Sequence, residues 1–254
     1  MKPRLLVIQH EDTCPAGLLG DVLSKHRITL DVCFAHRGDH IPESLADHDG
    51  LMVLGGAMGA NDDADFPWLT ATKALMREGV RAQRHVLGVC LGHQLLNTAL
   101  GGSSGANPAG KARGLTPYRP TAQAQRDPLL SAVPEGATGL QWNDDVVIEL
   151  PAGAVVLATA PDGSVQAARF ALHAWGVQFH PEATPEIFRS WAVHRPVGAD
   201  PLWQDQALHA AADDFVERRE EVAQSWRPLA DRFAELITAG VAERAGRTRA
   251  MVES

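Results

Sequence analysis

The chain has 254 residues, of which 45% are hydrophobic and 21% charged, a composition typical of a globular protein with one large or two small domains. Its 23 Lys and Arg residues stand against 31 Asp and Glu residues, and the net charge of −8 without a basic cluster argues against a nucleic-acid partner. The N-terminus has only a short apolar run, so we expect neither a signal peptide nor a membrane span. We therefore expect a cytoplasmic protein.

Apolar runs and helical patterns alternate along the first hundred residues. Strands are predicted at Arg4–Gln9, Ile28–Phe34, Gly50–Leu54 and His85–Val89. Helices are predicted at Gly17–Lys25, at about Pro67–Glu78, and from Cys90 through Leu100. This alternation predicts an α/β fold with a mostly parallel open sheet flanked by helices, of the flavodoxin-like kind.

The sequence pattern changes after about Gly114. From there to Phe179 the chain contains short β-rich segments separated by Pro, Gly and Asp turns, which we expect to be hairpins and late strands of the same sheet. After Pro185 the pattern becomes helical, with an interruption at Pro196–Pro201.

The last part of the chain is a charged, Ala-rich amphipathic segment from Trp203 to about Arg244, followed by residues expected to be frayed. We therefore predict a first domain over residues 1–190 and a helical C-terminal extension over residues 191–254 that packs on it. Trp191, Trp203 and Trp226 are expected to dock this extension on the sheet domain.

The sequence Gly88-Val89-Cys90-Leu91-Gly92 lies where an apolar strand meets a helix. A cysteine flanked by glycines at such a junction is typical of a nucleophile elbow, in which a tight turn lifts the sulfur out of the sheet. The N-terminus of the following helix favours a thiolate there. The alternative is a small buried hydrophobe, the usual role of a free cysteine.

A histidine and a glutamate follow the apolar run Trp175–Phe179, in the tripeptide His180-Pro181-Glu182. Because parallel strands end at the same edge of a sheet, His180 is predicted to act as general base on Cys90 and then as acid toward the leaving group. Glu182 is predicted to accept the other imidazole N–H. The tripeptide alone would also suit a surface loop, and its occurrence together with the elbow favours a triad.

A second glycine-rich turn, GGAMG at residues 55–59, ends a buried strand. Its backbone N–H groups are predicted to face the elbow and, with the N–H of Leu91, to form an oxyanion hole. Phosphate binding is the alternative use of such a turn, but the G-x-x-x-x-G-K-[ST] pattern is absent and no helix follows at once.

The motifs GVCLGHQLL (residues 88–96), GGAMG (55–59) and GVQFHPE (176–182) together resemble those of the class I, triad-type glutamine amidotransferase family. The likeness extends from about Arg4 to Glu182, and the combination of motifs is highly specific. It implies a GMP synthase-like glutaminase domain. No ATP-binding signature follows, so we expect a free-standing domain whose ATP-dependent synthetase, if there is one, is a separate subunit.

The resemblance assigns roles to the triad. Cys90 corresponds to the nucleophile, His180 to the base and Glu182 to the orienting acid. The implied reaction is attack of the thiolate on the γ-carboxamide of glutamine, release of ammonia, and hydrolysis of the γ-glutamyl thioester by water. The resemblance implies no cofactor.

The resemblance also implies contacts around the substrate. Backbone N–H groups of Gly56 and Leu91 would hold the oxyanion, Gln94 would contact the bound glutamine, and His93 would be structural. The glycine turn departs from many members, which continue with proline where Ala57 and Met58 stand here.

A second departure is the segment Trp142-Asn143-Asp144-Asp145, which stands where relatives often carry a His-Gly pair. We still expect it beside the substrate, with Trp142 and Asp144 as binding residues. Recognition of the amino acid end of the substrate is therefore expected to be altered.

The remaining cysteines and histidines are interpreted as non-catalytic. Three cysteines without C-x-x-C spacing suggest neither a disulfide framework nor a zinc site. Cys14 in a polar loop and Cys33 in a strand are expected to be packing or incidentally exposed residues. His36, His40 and His48 lie among carboxylates and loops, which favours a solvated surface over a metal site.

Three functions are compatible with these observations. The first is a glutaminase subunit that passes ammonia to a partner synthetase. The second is a partner-independent γ-glutamyl peptidase or hydrolase, because the same thioester chemistry cleaves amides with larger leaving groups. The third is a catalytically silent binding or regulatory subunit, which a complete triad disfavours.

Overall fold

The computed structural model describes residues 2–193 and 206–252. Within them the strands are β1 (Arg4–Gln9), β2 (Thr29–Phe34), β3 (Gly50–Val53), β4 (His85–Val89), β5 (Ser103–Ala106), β6 (Ala112–Pro117), β7 (Arg119–Pro120), β8 (Thr138–Asn143), β9 (Asp145–Glu149), β10 (Val155–Thr159), β11 (Val165–Ala171) and β12 (Ala174–Val177). The α-helices are α1 (Gly17–Lys25), α2 (Trp68–Arg81), α3 (Leu91–Ala99), α4 (Pro185–Val193), α5 (Gln206–Glu217) and α6 (Arg219–Val252).

Eight strands form one sheet in the order β2-β1-β3-β4-β12-β11-β10-β7. The first five of these are parallel to one another, and β11, β10 and β7 add antiparallel pairings. The parallel part has the flavodoxin-like order, in which the strand sequence reverses direction beside β1. The prediction of a mostly parallel α/β sheet flanked by helices is therefore confirmed.

The central strands are buried on both faces, which explains their unbroken apolar runs. All five residues of β4 are buried, as are all four of β3. The register pairs Val53 with Gly88 and Val89 with Val177, so β3, β4 and β12 end at nearly the same level. The segments that follow these strands must therefore meet at one edge of the sheet.

The expectation that all later strands join this sheet is wrong. β9 pairs with β5 and β6 pairs with β8, in two separate two-stranded antiparallel sheets. Neither β5 (SSGA) nor β8 (TGLQWN) carries the β-branched alternation that marks a strand in sequence, and each is defined by its cross-strand partner. In sequence, the strands of these two small sheets fall between α3 and β12, the strand that precedes His180.

The predicted helical C-terminal extension is confirmed, but its last helix ends later in the chain than predicted. α5 and α6 are separate helices, and α6 continues to Val252, past the predicted end near Arg244. The fraying expected at that end stays a prediction. Trp203 and the predicted interruption at Pro196–Pro201 lie outside the described residues. No helix in residues 2–193 and 206–252 combines the length and hydropathy that crossing a lipid bilayer requires.

Trp226 anchors α6 on the sheet. Its side chain is fully buried, its ring lies 4.2 Å from that of Phe179 and 5.5 Å from that of Tyr118, and its Nε1–H donates to the Thr138 carbonyl at 2.9 Å. Burying a side chain of this size stabilises the fold by roughly 3 kcal/mol. Because Phe179 precedes His180, α6 supports the segment that carries the predicted base. The division into residues 1–190 and 191–254 remains a proposal, and α4 spans that boundary.

Candidate active site

Cys90 lies in the turn between β4 and α3 with φ 52° and ψ −106°, a backbone conformation that an L residue rarely adopts. Holding such a residue costs on the order of 1–3 kcal/mol, which the surrounding structure must offset. Its N–H donates to the Val177 carbonyl of β12 at 2.8 Å. A Cβ on Gly88 would collide with the Gly92 carbonyl, and a Cβ on Gly92 would collide with the Val53 carbonyl. Both glycines are therefore sterically required at this elbow.

His180 and Glu182 form a buried hydrogen-bonded pair beside the elbow. His180 Nδ1 and Glu182 Oε1 are 2.7 Å apart, and the two side chains are only 3% and 1% exposed. A Cβ placed on Gly55 would lie 3.2 Å from His180 Cε1 and 3.6 Å from Cys90 Cβ, so these two residues adjoin the same glycine. The three residues predicted from the sequence thus lie together at one edge of the sheet.

The electrostatics of His180 follow from this packing. Burial by itself lowers its pKa, but the charges of Cys90 and Glu182 outweigh burial and raise the pKa to about 10, from an ordinary value of 6.5. An imidazolium is therefore favoured beside the sulfur. Gln178 Nε2 also donates toward Cys90 Sγ at 3.7 Å.

The glycine turn after β3 packs directly against the start of α3. A Cβ on Gly56 would lie 3.1 Å from Leu91 Cδ2 and 3.0 Å from His10 Cβ, so only glycine fits easily there. Leu91 is the first residue of α3, and its N–H consequently has no acceptor within the helix. The backbone around Gly56 and Leu91 is therefore in the neighbourhood that the oxyanion-hole prediction requires.

A cavity of about 420 Å³ opens in front of these groups, and Cys90, His180, Gln94, Trp142 and Asp144 all line it. Gln94 Nε2 donates to the Asp145 carbonyl at 2.8 Å and to Gln178 Oε1 at 3.2 Å. Gln94 consequently holds the start of β9 against the elbow helix.

The two adjacent aspartates of the cavity wall have different partners. Asp144 accepts a hydrogen bond from Arg113 and pairs with Lys111 at 3.2 Å. Burial raises the pKa of Asp144, but the hydrogen bonds and charges of Arg113 and Lys111 outweigh this and lower it. Burial raises the pKa of Asp145, and the negative charges of Asp144 and Asp62 raise it further. Among the described residues no cation pairs with Asp145.

Among the cavity residues that the sequence did not assign to the site are Cys14, Glu11 and Trp191. Cys14 is buried as packing would require, but it also lines the cavity, and its Sγ would lie 3.8 Å from a Cβ on Gly55. Burial and then the charge of Glu11 raise the pKa of the Cys14 thiol well above its usual value. Glu11 and Trp191 also line the cavity. No local motif marks these positions, because they reach the cavity from loops and helices distant in sequence.

Trp191 of α4 packs on the face of the predicted base. Its ring centroid is 4.4 Å from that of His180, and its Nε1–H donates to the Thr13 carbonyl at 2.8 Å. A ring in this position stabilises an imidazolium by about 0.5–2 kcal/mol and fixes its orientation. The helix-packing role predicted for Trp191 is therefore only part of its contacts.

Replacing Trp191 by Leu is expected to slow alkylation of Cys90 by iodoacetamide about tenfold, because His180 loses the ring that orients it. Trp191→Phe retains a ring but loses the hydrogen bond to Thr13, so its alkylation rate should lie between those of Trp191→Leu and the wild type. The rate of carboxamidomethylation is measured by mass spectrometry at neutral pH. Equal rates in all three proteins, with unchanged circular dichroism, would contradict this role.

The histidines set aside in the sequence analysis lie elsewhere. His93 is fully buried on α3, where its ring adjoins Gly176 and lies 5.4 Å from the Phe170 ring. His36 pairs with Asp12, His48 pairs with Asp31, and His40 is exposed. Within residues 2–193 and 206–252, no three His, Cys, Asp or Glu side chains cluster in a way that could hold a metal ion.

Comparisons with known proteins agree with this geometry. A family model described as glutamine amidotransferase class-I matches residues 21–193. The chain is 28% identical to γ-glutamyl peptidase 5 from Arabidopsis thaliana over 193 residues, which cover 75% of each protein. It is 34% identical over 176 residues to the glutamine-hydrolysing GMP synthase of Aeropyrum pernix, covering 65% of this chain and 31% of the synthase. A solved glutamine amidotransferase from Thermotoga maritima has the same fold, with a TM-score of 0.80 at 22% identity over 92% of this chain and 99% of its own.

Proposed function

Because the chain belongs to the class-I glutamine amidotransferase family, we propose that it hydrolyses the side-chain amide of glutamine, or another amide of the γ-glutamyl group, through a thioester on Cys90. The observation that carries this proposal is the meeting of three groups, two of which, Cys90 and His180, line one cavity. Cys90 is held in an elbow, His180 adjoins it, and Glu182 accepts the second imidazole N–H at 2.7 Å.

The first half of the reaction forms the thioester. His180 takes the proton of the Cys90 thiol, and the sulfur attacks the amide carbon while the carbonyl oxygen becomes an oxyanion. Backbone N–H groups of Gly56 and Leu91 stabilise that oxyanion. The C–N bond then breaks, and His180 gives its proton to the departing nitrogen, which leaves as ammonia or an amine.

The second half releases glutamate. A water molecule attacks the thioester carbon, His180 takes the proton of the water, and a second oxyanion forms in the same hole. The C–S bond breaks and the Cys90 thiolate leaves, to be reprotonated from His180. Glu182 keeps the imidazole in one tautomer through both halves. Every step uses groups of this chain and water.

The charges of the cavity wall suit the amino acid end of such a substrate. Arg113 and Lys111 share the single carboxylate of Asp144, which leaves one positive charge for a substrate carboxylate. Asp145 and Asp62 repel each other, and a substrate ammonium between them would remove that repulsion. We therefore propose Asp145 as the group that binds the α-ammonium. Asp144 would act by holding Arg113, the proposed partner of the substrate carboxylate. Trp142 would form the cavity wall beneath Arg113, whose guanidinium carbon lies 4.8 Å from the centroid of the Trp142 ring.

Asp145→Asn is expected to raise KM for glutamine about 10- to 100-fold, the effect of losing one charge-assisted hydrogen bond, while kcat changes less. The measurement is initial-rate kinetics over a range of glutamine concentrations. Glu149→Gln, an exposed carboxylate of the same strand, is the matched control and should keep the wild-type KM. A variant whose kcat falls while its KM is unchanged would place Asp145 at the reacting carbon instead.

Two physiological versions of this chemistry are supported. A glutaminase subunit that supplies ammonia to a separate ATP-dependent synthetase is suggested by the GMP synthase of which this chain matches only 31%. A partner-independent γ-glutamyl peptidase is suggested by the γ-glutamyl peptidase relative and by the cavity of about 420 Å³, within the range of pockets that hold drug-sized ligands. A silent binding subunit would retain neither activity. We keep the cytoplasm as the proposed location, since Cys14, Cys33 and Cys90 are all free thiols.

A substrate panel separates these versions. Purified protein is incubated with glutamine and with γ-glutamyl dipeptides, and ammonia, free amino acid and glutamate are quantified. Turnover of glutamine alone would support the glutaminase, and faster turnover of dipeptides would support the peptidase. Absence of turnover, together with no labelling of Cys90 by a glutamine-like electrophile, would refute the proposed chemistry.

A further inference from the structure

Glu11 joins two loops at the rim of the cavity. It lies two residues beyond β1, is partly buried, and its carboxylate accepts three hydrogen bonds. Oε1 accepts from Thr13 Oγ1 at 2.9 Å and from Cys14 Sγ at 3.1 Å, while Oε2 accepts from the Ala57 N–H at 3.3 Å. One carboxylate thus connects the loop after β1 to the glycine turn after β3.

The backbone of Glu11 is itself fixed. Its carbonyl accepts from Gln9 Nε2 at 2.9 Å and from the Cys14 N–H at 3.3 Å. Gln9 belongs to β1, which lies in the sheet between β2 and β3. The carboxylate is therefore carried by a rigid strand end and not by a freely moving loop.

The contact with Ala57 determines the orientation of the Gly56–Ala57 peptide. In a trans peptide the C=O and N–H groups point in opposite directions, so an Ala57 N–H directed at Glu11 directs the Gly56 carbonyl away from Glu11. Rotating this peptide changes ψ of Gly56, which glycine tolerates, and φ of Ala57, so the hydrogen bond at the Ala57 N–H helps to decide between the two orientations. An ionised carboxylate only accepts hydrogen bonds and would repel the Gly56 carbonyl in the rotated form.

We propose that Glu11 is a positioning residue: by anchoring the Ala57 N–H it fixes the end of the glycine turn, and with it the adjoining Gly55–Gly56 peptide whose N–H would face the oxyanion. The role rests on the proposed thioester chemistry, since the oxyanion forms only there. Glu11 acts through Ala57 and Gly56, and Thr13 and Cys14 keep its carboxylate in place. The Cys14 thiol, with its raised pKa, serves as a hydrogen-bond donor in this network.

Glu11→Gln is the test, because Gln has the same shape but can also donate to a rotated carbonyl. We expect kcat to fall about 10- to 100-fold with KM changed less than about threefold, somewhat less than deletion of a direct oxyanion donor. In Glu11→Ala, kcat should fall at least as far. Glu43→Gln, on an exposed position away from the cavity, is the control and should retain wild-type kinetics.

A second pair of readouts separates positioning from general damage. Binding of an aldehyde analogue of glutamine, whose Cys90 adduct carries an oxyanion, should weaken in parallel with kcat. Alkylation of Cys90 by iodoacetamide forms no oxyanion and should keep its wild-type rate, as should the melting temperature. Equal kcat in Glu11→Gln and wild type, or parallel losses of alkylation and kcat, would overturn the proposal. A wild-type protein that is inactive on the whole panel and is not labelled at Cys90 by a glutamine-like electrophile would instead refute the proposed function, and the inference with it.

Discussion

Cys90→Ala and His180→Ala proteins are each expected to lose turnover by about 10⁴-fold or more, to the level left by substrate binding and the oxyanion hole. The reason is that the sulfur is the only group placed at the end of β4 to form a thioester, and His180 is the base beside it within the described residues. Initial rates of ammonia or amine release give the measurement, and binding of glutamine should persist in both variants.

Glu182→Gln is expected to retain more activity than either, because it removes the charge that orients the imidazole and leaves the reacting groups in place. It should also change the pH profile. Glu182 contributes to the raised pKa of His180, so the imidazolium that protonates the leaving nitrogen is present up to higher pH in the wild type. Without Glu182 the alkaline limb of the profile should move to lower pH. Residual rates in the opposite order, with Glu182→Gln the least active, would contradict the assigned roles.

The second large effect is expected on stability. Gly92→Ala places a methyl group against the Val53 carbonyl at the end of β3, and neither backbone can move without disturbing the elbow. We expect the free energy of unfolding to fall by about 3 kcal/mol or more, beyond the usual cost of a buried extra methyl group. Urea unfolding followed by circular dichroism measures the change.

Gly246→Ala is the matched control, since Gly246 is also a helical glycine but a Cβ added to it would meet no atom within 4 Å. There the substitution should raise stability by up to about 1 kcal/mol, through helix propensity and loss of unfolded-state entropy. Similar stabilities for Gly92→Ala and wild type would mean that the elbow is looser than its close contacts indicate.

The elements that sequence reasoning located are those whose signal is local. The bounds of β1, α1 and β4 agree with prediction, because a strand buried on both faces must be apolar throughout and a helix shows its own period. The elbow at Cys90 also has a local sequence signal, its two flanking glycines, although only Gly88 is required by a close approach within the turn and Gly92 is required by the Val53 carbonyl of β3. From these elements the parallel sheet, and the edge at which a triad could assemble, follow by general rules of connection.

Other elements could not be predicted because their definition is non-local. β5 and β8 have weak strand signals and exist through pairing with β9 and β6, so the extra two-stranded sheets were not anticipated. The partners of the two neighbouring aspartates are likewise decided by non-local contacts. Asp144 and Asp145 are chemically identical in the sequence, and only the position of Arg113 on β6 makes one a partner of cations and leaves the other facing Asp62.

The fold class, the elbow and the three residues proposed for catalysis could be read from the amino-acid order alone, since periodicity, the spacing of glycines around a cysteine and strand ends are properties of short segments. The groups that surround those residues are set by how distant segments pack together. Glu11 and Cys14 come from the loop after β1 and Trp191 from α4, far along the chain, and they meet only where the ends of parallel strands converge. Hydrogen bonds and ring contacts of this kind depend on distances of a few ångströms between such segments, and no local pattern encodes those distances.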